Sequence, residues 1–146
     1  MTPLALLTVA AVLAAGPADD AADEQAEYAR FAGTWAFESL EIDGKAVPPG
    51  VFKAARLTLK GNAFTQTGFG ETARGTYKVD VRKTPRTIDI TFGDGPQAGK
   101  TAQGVYELEG DTYKVCVSEV GRPRPTGLVS RPGSGHALEV LKRQKP

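Results

Sequence analysis

From residue 34 to residue 142 the chain alternates apolar and polar residues in short runs, separated by turns rich in glycine and proline. A period of two is typical of β-strands that bury one face and expose the other. The pattern predicts eight strands: Thr34–Asp43, Ala55–Lys60, Ala63–Thr67, Ala73–Val81, Thr87–Phe92, Gln103–Leu108, Thr112–Ser118 and Ala137–Lys142. The apolar positions of the first strand change parity after Phe37, which predicts a bulge near Ser39. The pair Gly61-Asn62 is a tight hairpin signal.

Short antiparallel strands in sequence leave two open sheet edges unless the sheet closes on itself. The pattern therefore predicts an all-β fold, an eight-stranded antiparallel up-and-down barrel, with a two-sheet sandwich as the alternative. A short N-terminal helix is predicted over Ala21–Gly33, where Tyr28 and Phe31 share one face. The length of 146 residues is typical of one domain.

The segment before the helix has the composition of a targeting sequence. Leu4–Gly16 is apolar and uncharged, is too short to span a bilayer comfortably, and precedes an acidic stretch. It is typical of the hydrophobic region of a secretory signal, although no basic residue precedes it. We therefore predict a signal peptide over 1–18, an acidic linker over 19–25 and the barrel domain over 26–146. The predicted location is extracytoplasmic, either periplasmic or secreted; a retained signal anchor is the alternative.

Charge and composition exclude several classes of function. The formal net charge of +1 gives no global attraction to nucleic acid. The single cysteine, Cys116, excludes an intramolecular disulfide, and with a single histidine, His136, the chain offers no metal ligand set, so no metal or cofactor is expected. Ser134 lies two residues from His136, but the surrounding glycines predict a turn rather than a catalytic pair. Asp89, Glu107 and Glu139 are placed on the solvated faces, so no catalytic carboxylate pair is expected and the protein is predicted not to be an enzyme.

The stretch Gly33–Trp35, GTW, opens the first predicted strand and resembles the G-x-W motif of lipocalins. That resemblance implies that Trp35 plugs the closed end of a barrel and packs under a basic residue near the last strand, Lys142 or Arg143. A longer resemblance, from about Ala26 to Arg143, is to a bacterial lipocalin-like domain family of uncharacterised function that is expanded in planctomycetes. It is carried by FAGTWAFESLEIDGKAVP, ARLTLKGNAFT, TIDITFGDGPQAGKTAQGVYELEGDTYKVCVS, and GRPRP followed by RPGSGHALEVLKR. It implies a lipocalin-like fold, with Gly33, Trp35 and Arg143 as structural residues, and no established activity.

The segment Val120–His136, here called the arginine loop, interrupts the strand pattern and is much longer than a hairpin turn. Arg122, Arg124 and Arg131 could form an anion site at the barrel opening. Alternatively the loop is a structural strap whose apolar residues cover one end of the barrel, with its arginines paired to surface acids.

Whether the barrel interior is hollow or filled distinguishes the two leading hypotheses about function. One is an apolar cup that binds a small apolar or amphipathic ligand, and the other is a filled core in a module that binds a protein or cell-surface partner. The inward-facing set is predicted to include Leu138 and Val140 of the last strand. The predicted ligand-binding residues of the interior and the opening are Phe37, Phe64, Gln66, Tyr77, Phe92, Tyr106, Tyr113, Arg122, Arg124 and Arg131. No nucleic-acid partner and no membrane span of the mature chain are expected.

Overall fold

The computed structural model describes residues 17–145, with side chains described from residue 21. Within this range the chain forms one antiparallel sheet and two helices. The strands are β1 (Gly33–Ile42), β2 (Lys45–Ala46), β3 (Arg56–Lys60), β4 (Ala63–Thr67), β5 (Ala73–Asp80), β6 (Arg86–Phe92), β7 (Thr101–Glu109), β8 (Thr112–Ser118) and β9 (His136–Arg143). The helices are α1 (Pro17–Phe31) and α2 (Pro49–Phe52).

Eight of these strands close into a barrel because β9 pairs with β1 as well as with β8. The remaining strand, β2, folds back on the end of β1, where Ala46 pairs with Glu41. The predicted eight-stranded up-and-down barrel and its N-terminal helix are therefore confirmed. The two elements that the period did not predict, β2 and α2, contain two and four residues, too few to show a repeat. The predicted bulge is also present, since the register of β1 against β9 shifts between Phe37 and Ser39.

Helix α1 is longer than predicted. It runs without interruption from Pro17 to Phe31, so the backbone of the acidic segment 19–25, the predicted linker, is helical. Residues 1–16, which make up most of the predicted signal peptide, lie outside the described residues. No helix in the described part of the chain is long and apolar enough to cross a membrane.

One end of the barrel is closed by α1 and an aromatic cluster. Phe31 packs edge-on against Tyr113, with ring centroids 5.0 Å apart, and Trp35 lies 5.8 Å from the same tyrosine ring. The indole Nε1 of Trp35 donates a hydrogen bond to the carbonyl oxygen of Phe31 at 2.9 Å. The guanidinium of Arg143 lies 4.3 Å from the centre of the Trp35 ring, a cation–π geometry. We call this end the floor.

Arg143 also fastens α1 to the sheet. Its guanidinium donates to the carbonyl oxygens of Ala32 and Arg30 at the end of the helix, and to Asp111 at 3.0 Å. Gly33 has a φ of +135°, and a Cβ atom there would lie only 3.2 Å from Nη1 of Arg143. The lipocalin resemblance suggested that Lys142 or Arg143 packs over Trp35. In the structure that residue is Arg143.

A second attachment of α1 is the carboxylate of Glu27, which is only 2% exposed. It accepts hydrogen bonds of 2.6 Å from Arg30, from Arg86 of β6 and from the hydroxyl of Tyr106 in β7. These charge-assisted bonds connect the helix to two strands at the floor.

Replacing Glu27 with alanine should therefore destabilise the protein by about 2 kcal/mol, because the buried Tyr106 hydroxyl loses its acceptor while the two half-exposed arginines regain water. Urea unfolding followed by circular dichroism measures the change. Glu24→Ala, on the same helix and without a hydrogen bond or ion pair among the described residues, should change stability by less than about 0.5 kcal/mol. Equal losses in the two variants would contradict the assigned role of Glu27.

The prediction for the faces of β9 is wrong. Residues paired across antiparallel strands point to the same side of the sheet, and the register pairs Glu139 with Val115 and Leu141 with Tyr113. Glu139 and Leu141 therefore face the interior, whereas Leu138 and Val140 face outward. Since β9 carries apolar residues at both parities, its own alternation did not distinguish the two faces.

The arginine loop packs on the outer wall of the barrel. The outward residues Val105, Cys116 and Leu138 lie in register across β7, β8 and β9, and Val105 and Cys116 are 2% and 0% exposed. The loop lies against this apolar patch, where the Cys116 thiol donates to the carbonyl oxygen of Val129 at 3.6 Å. The same loop reaches the β1–β2 turn, because the hydroxyl of Ser130 accepts the Gly44 N–H at 2.8 Å.

Candidate functional site

The barrel encloses a cavity of about 730 Å³ between the floor and the opposite end. We call that opposite end the mouth; it is formed by the segment 43–55, which contains β2 and α2, and by the loops 68–72, 93–100 and 119–135. The rim of the cavity includes Gln97, Lys100, Glu119 and His136. The volume lies within the range of about 300–1,000 Å³ that is usual for small-molecule sites.

The walls of the cavity are mainly apolar and come from nearly every strand. The larger apolar side chains that line it are Ile42, Leu57, Leu59, Phe64, Ile88, Ile90, Phe92, Val115, Val117 and Val120. The small side chains Ala73, Ala102 and Ala137 also line it, and they leave space that a filled core would occupy. Polar side chains interrupt the apolar wall, among them Gln66, Tyr77, Tyr113 and Glu139.

Five of the predicted ligand-binding residues line the cavity together, Phe64, Gln66, Tyr77, Phe92 and Tyr113. Two others are buried elsewhere. Phe37 packs edge-on against Phe69, with ring centroids 5.2 Å apart, and Tyr106 extends to Glu27 at the floor.

The three arginines of the arginine loop are not among the described residues that line the cavity. Arg124 donates to the carbonyl oxygens of Ile88 and Gly104 at 3.0 and 2.8 Å and to Asp89 at 2.5 Å. Arg122 forms an ion pair with Glu119 at 3.2 Å, and Arg131 is exposed. Arg124 thus holds the loop against the outer wall of the barrel. The loop shields the apolar patch on that wall from water.

The two tyrosines of the wall are neutral hydrogen-bonding groups. The Tyr77 hydroxyl donates to the carbonyl oxygen of Gly61 at 2.9 Å, and burial raises the pKa of Tyr77 well above its ordinary value. Burial also raises the pKa of Tyr113, and the nearby charge of Glu139 raises it further. Both phenols therefore keep their protons at physiological pH.

Glu139 is the cavity-lining residue that sequence reasoning placed on the wrong face of its strand. Its carboxyl group faces the cavity, is surrounded by the barrel walls and forms neither a hydrogen bond nor an ion pair with any residue from 21 to 145. Removal from bulk water raises the pKa of Glu139 from an ordinary 4.5 to about 7. The sequence signals for its inward position were Ala137 and Leu141, the apolar residues of the same parity on either side of it.

Ser134, which was considered for catalysis, stabilises a turn. The Ser134 hydroxyl accepts the backbone N–H groups of His136 and Arg131 at 3.2 and 3.3 Å, which stabilises the turn that leads into β9. Among the side chains that the structure describes, no group of three or more histidine, cysteine, aspartate or glutamate residues could hold a metal ion.

Comparisons of the chain with protein-family models, with curated proteins and with solved structures found no significant match. The function is therefore inferred from the cavity and its walls. The described part of the chain forms a hollow antiparallel β-barrel with a mainly apolar interior and one open end, and the carboxyl group of Glu139 lies inside it.

Proposed function

We propose that this protein is a lipocalin-like carrier that binds a small apolar or amphipathic molecule inside its barrel. The observation that carries the proposal is the cavity of about 730 Å³, with a sealed floor, apolar walls and one open end. Each Å² of apolar ligand surface that enters such a site gains about 25 cal/mol from leaving water. The binding energy would thus come mainly from burial of the ligand.

The alternative function, a filled-core module that binds a macromolecule, requires side chains to occupy the interior. The small residues Ala73, Ala102 and Ala137 line the cavity instead, so the space above the floor is left open. This favours the carrier.

Membership of the lipocalin-like family and export from the cytoplasm are part of the same proposal. The first is supported by the GTW motif and by the position of Arg143 over the Trp35 ring. The second is supported by the apolar, uncharged segment Leu4–Gly16. N-terminal sequencing of the protein from its own cells tests export; a mature chain that begins near Asp19 is expected, and one that begins at Met1 would contradict signal cleavage.

Filling the cavity should abolish binding while leaving the fold intact. Ala102→Phe places a phenyl group in the open space beside Ile90, its partner in β6. We expect the affinity for N-phenyl-1-naphthylamine, an uncharged apolar fluorescent probe, to fall by more than about tenfold. Fluorescence titration measures the affinity, and circular dichroism confirms that the variant is folded.

The matched control is Ala63→Phe, which adds the same group at an exposed position of β4. It should bind the probe as tightly as the parent protein. If the parent binds no probe, and native mass spectrometry of protein purified from its own cells shows no added mass, the carrier proposal is wrong. If the Ala102→Phe variant and the parent bind the probe equally well, the probe binds outside the barrel.

A further inference from the structure

The Glu139 carboxyl group is enclosed by apolar neighbours. On β9 it lies between Ala137 and Leu141, the inward residues before and after it, and Leu141 is fully buried. Val115 of β8 and Leu40 of β1 are its partners in register on either side. No described residue donates a hydrogen bond to this carboxyl group, yet its cavity side is open to a small molecule.

The other ionisable groups that face the cavity lie at the rim or are neutral. Lys100, Glu119 and His136 belong to the rim, and Glu119 already has an ion-pair partner in Arg122. The phenols of Tyr77 and Tyr113 remain protonated. Within the described walls below the rim, Glu139 is therefore the one group that can carry a charge near neutral pH.

The same cavity presents aromatic rings to its contents. Phe64, Tyr77, Phe92 and Tyr113 all line it. Aromatic faces attract cations, and a carboxylate held in an apolar surrounding is strongly stabilised by a positive partner. An acid and several rings in one enclosed site make a setting that suits a cationic nitrogen.

Building on the proposed function, we propose that the cavity binds an apolar molecule that carries a protonated amine, and that the ammonium group pairs with the Glu139 carboxylate. The strand order places β5 halfway round the barrel from β9. The apolar part of the ligand would thus extend toward Tyr77 and the neighbouring Ile88 and Ile90 of β6, which line that side of the cavity.

The proposal has a defined pH dependence. Because burial raises the pKa of Glu139 to about 7, the carboxylate predominates above that pH and the neutral acid below it. An alkyl ammonium ion stays protonated throughout this range, so its binding should weaken on acidification. A fatty acid would show the opposite dependence, since its own carboxylate is repelled by ionised Glu139.

The test compares three ten-carbon ligands, decylamine, decanol and decanoic acid, as competitors that displace N-phenyl-1-naphthylamine from the parent protein. At about pH 8.5 we expect decylamine to bind about 30-fold more tightly than decanol, as a charge-assisted pair would give. At about pH 5.5 the preference should fall below about threefold, because Glu139 is then protonated.

Glu139→Gln keeps the shape of the side chain and removes its charge. In this variant decanol should bind as in the parent, which shows that the cavity is intact, while the preference for the amine is lost at both pH values. Glu107→Gln, the same substitution at an exposed position of β7, should leave every affinity unchanged.

Each other outcome overturns a specific claim. Equal binding of decylamine and decanol by the parent, or tightest binding of decanoic acid at about pH 8.5, would refute the amine proposal while leaving the carrier in place. An amine preference that survives in Glu139→Gln would assign the cation to a different group. Failure of all three ligands and of the probe to bind would refute the carrier proposal itself.

Discussion

Replacing Trp35 with alanine should lower the free energy of unfolding by about 4 kcal/mol. The indole is 0% exposed, packs against Tyr113 and Arg143, and donates a hydrogen bond to Phe31. Its removal would leave a void at the floor where α1 meets the start of β1. Urea unfolding followed by far-ultraviolet circular dichroism is the appropriate measurement, because Trp35 is the only tryptophan in the chain.

Two control variants make the result specific to the floor. Trp35→Phe keeps an aromatic ring beneath Arg143 and loses the indole hydrogen bond, so it should cost about half as much. Val51→Ala truncates a side chain that is 53% exposed in α2 and should change stability by less than about 0.5 kcal/mol. An alanine variant at position 35 that unfolds within about 1 kcal/mol of the parent would show that the floor contributes little to stability.

Glu139→Gln should stabilise the ligand-free protein by about 3 kcal/mol at pH 8 and by little near pH 4. The carboxyl group has an ordinary pKa of 4.5, and burial raises it to about 7 in the folded protein. Between these values the folded state holds a proton that the unfolded state has released, so the stability of the parent falls as pH rises. The loss is complete above about pH 7, where Glu139 is ionised in both states.

The measurement is the difference in unfolding free energy between Glu139→Gln and the parent at a series of pH values. That difference should grow between about pH 4.5 and pH 7 and then level off. Glu107→Gln, at an exposed site, should give a difference that stays flat over the same range. A flat difference for Glu139→Gln as well would show that the carboxyl group is not enclosed in the folded protein.

These two residues have opposite effects on stability. Trp35 stabilises the floor, whereas ionised Glu139 destabilises the wall above it because a charge there has no partner among the side chains of residues 21–145. Proteins retain such unfavourable groups mainly at functional sites. A bound cation would offset the cost, which connects the pH dependence of stability with the proposed ligand.

The local alternation of residues was sufficient to predict the barrel strands. The strands β4 and β8 have the predicted bounds, and the other six differ by one or two residues at their ends. Most of these strands have one clearly apolar face, and a side-chain period of two permits only one way of burying it; β9, which is apolar on both faces, is the exception. The Gly61-Asn62 hairpin and the bulge after Phe37 were predictable for the same local reason.

The positions of the polar site residues were only partly predictable. Gln66, Tyr77 and Tyr113 share the parity of strongly apolar neighbours, so their places on the cavity wall follow from their own strands. Arg122, Arg124 and Arg131 lie in a loop without a period, and nothing local shows which surface such a loop covers. The loop contacts the outer wall because Val105, Cys116 and Leu138, from three different strands, form an apolar patch there.

The sequence by itself determined the strands and the turns between them, because these depend on neighbours along the chain; the position of Trp35 beneath a basic residue was implied only by the lipocalin resemblance. Only the tertiary structure decided that the interior is hollow, that the arginine loop lies outside the barrel and that Glu139 lies inside it. The position of Glu139 and the outer patch that the loop covers depend on the register of β9 against β8 and β1, and the open interior depends on small side chains that come from separate strands. All of them thus depend on residues far apart in the chain. In a strand such as β9, with apolar residues on both faces, pairing with its neighbours settles which face is buried.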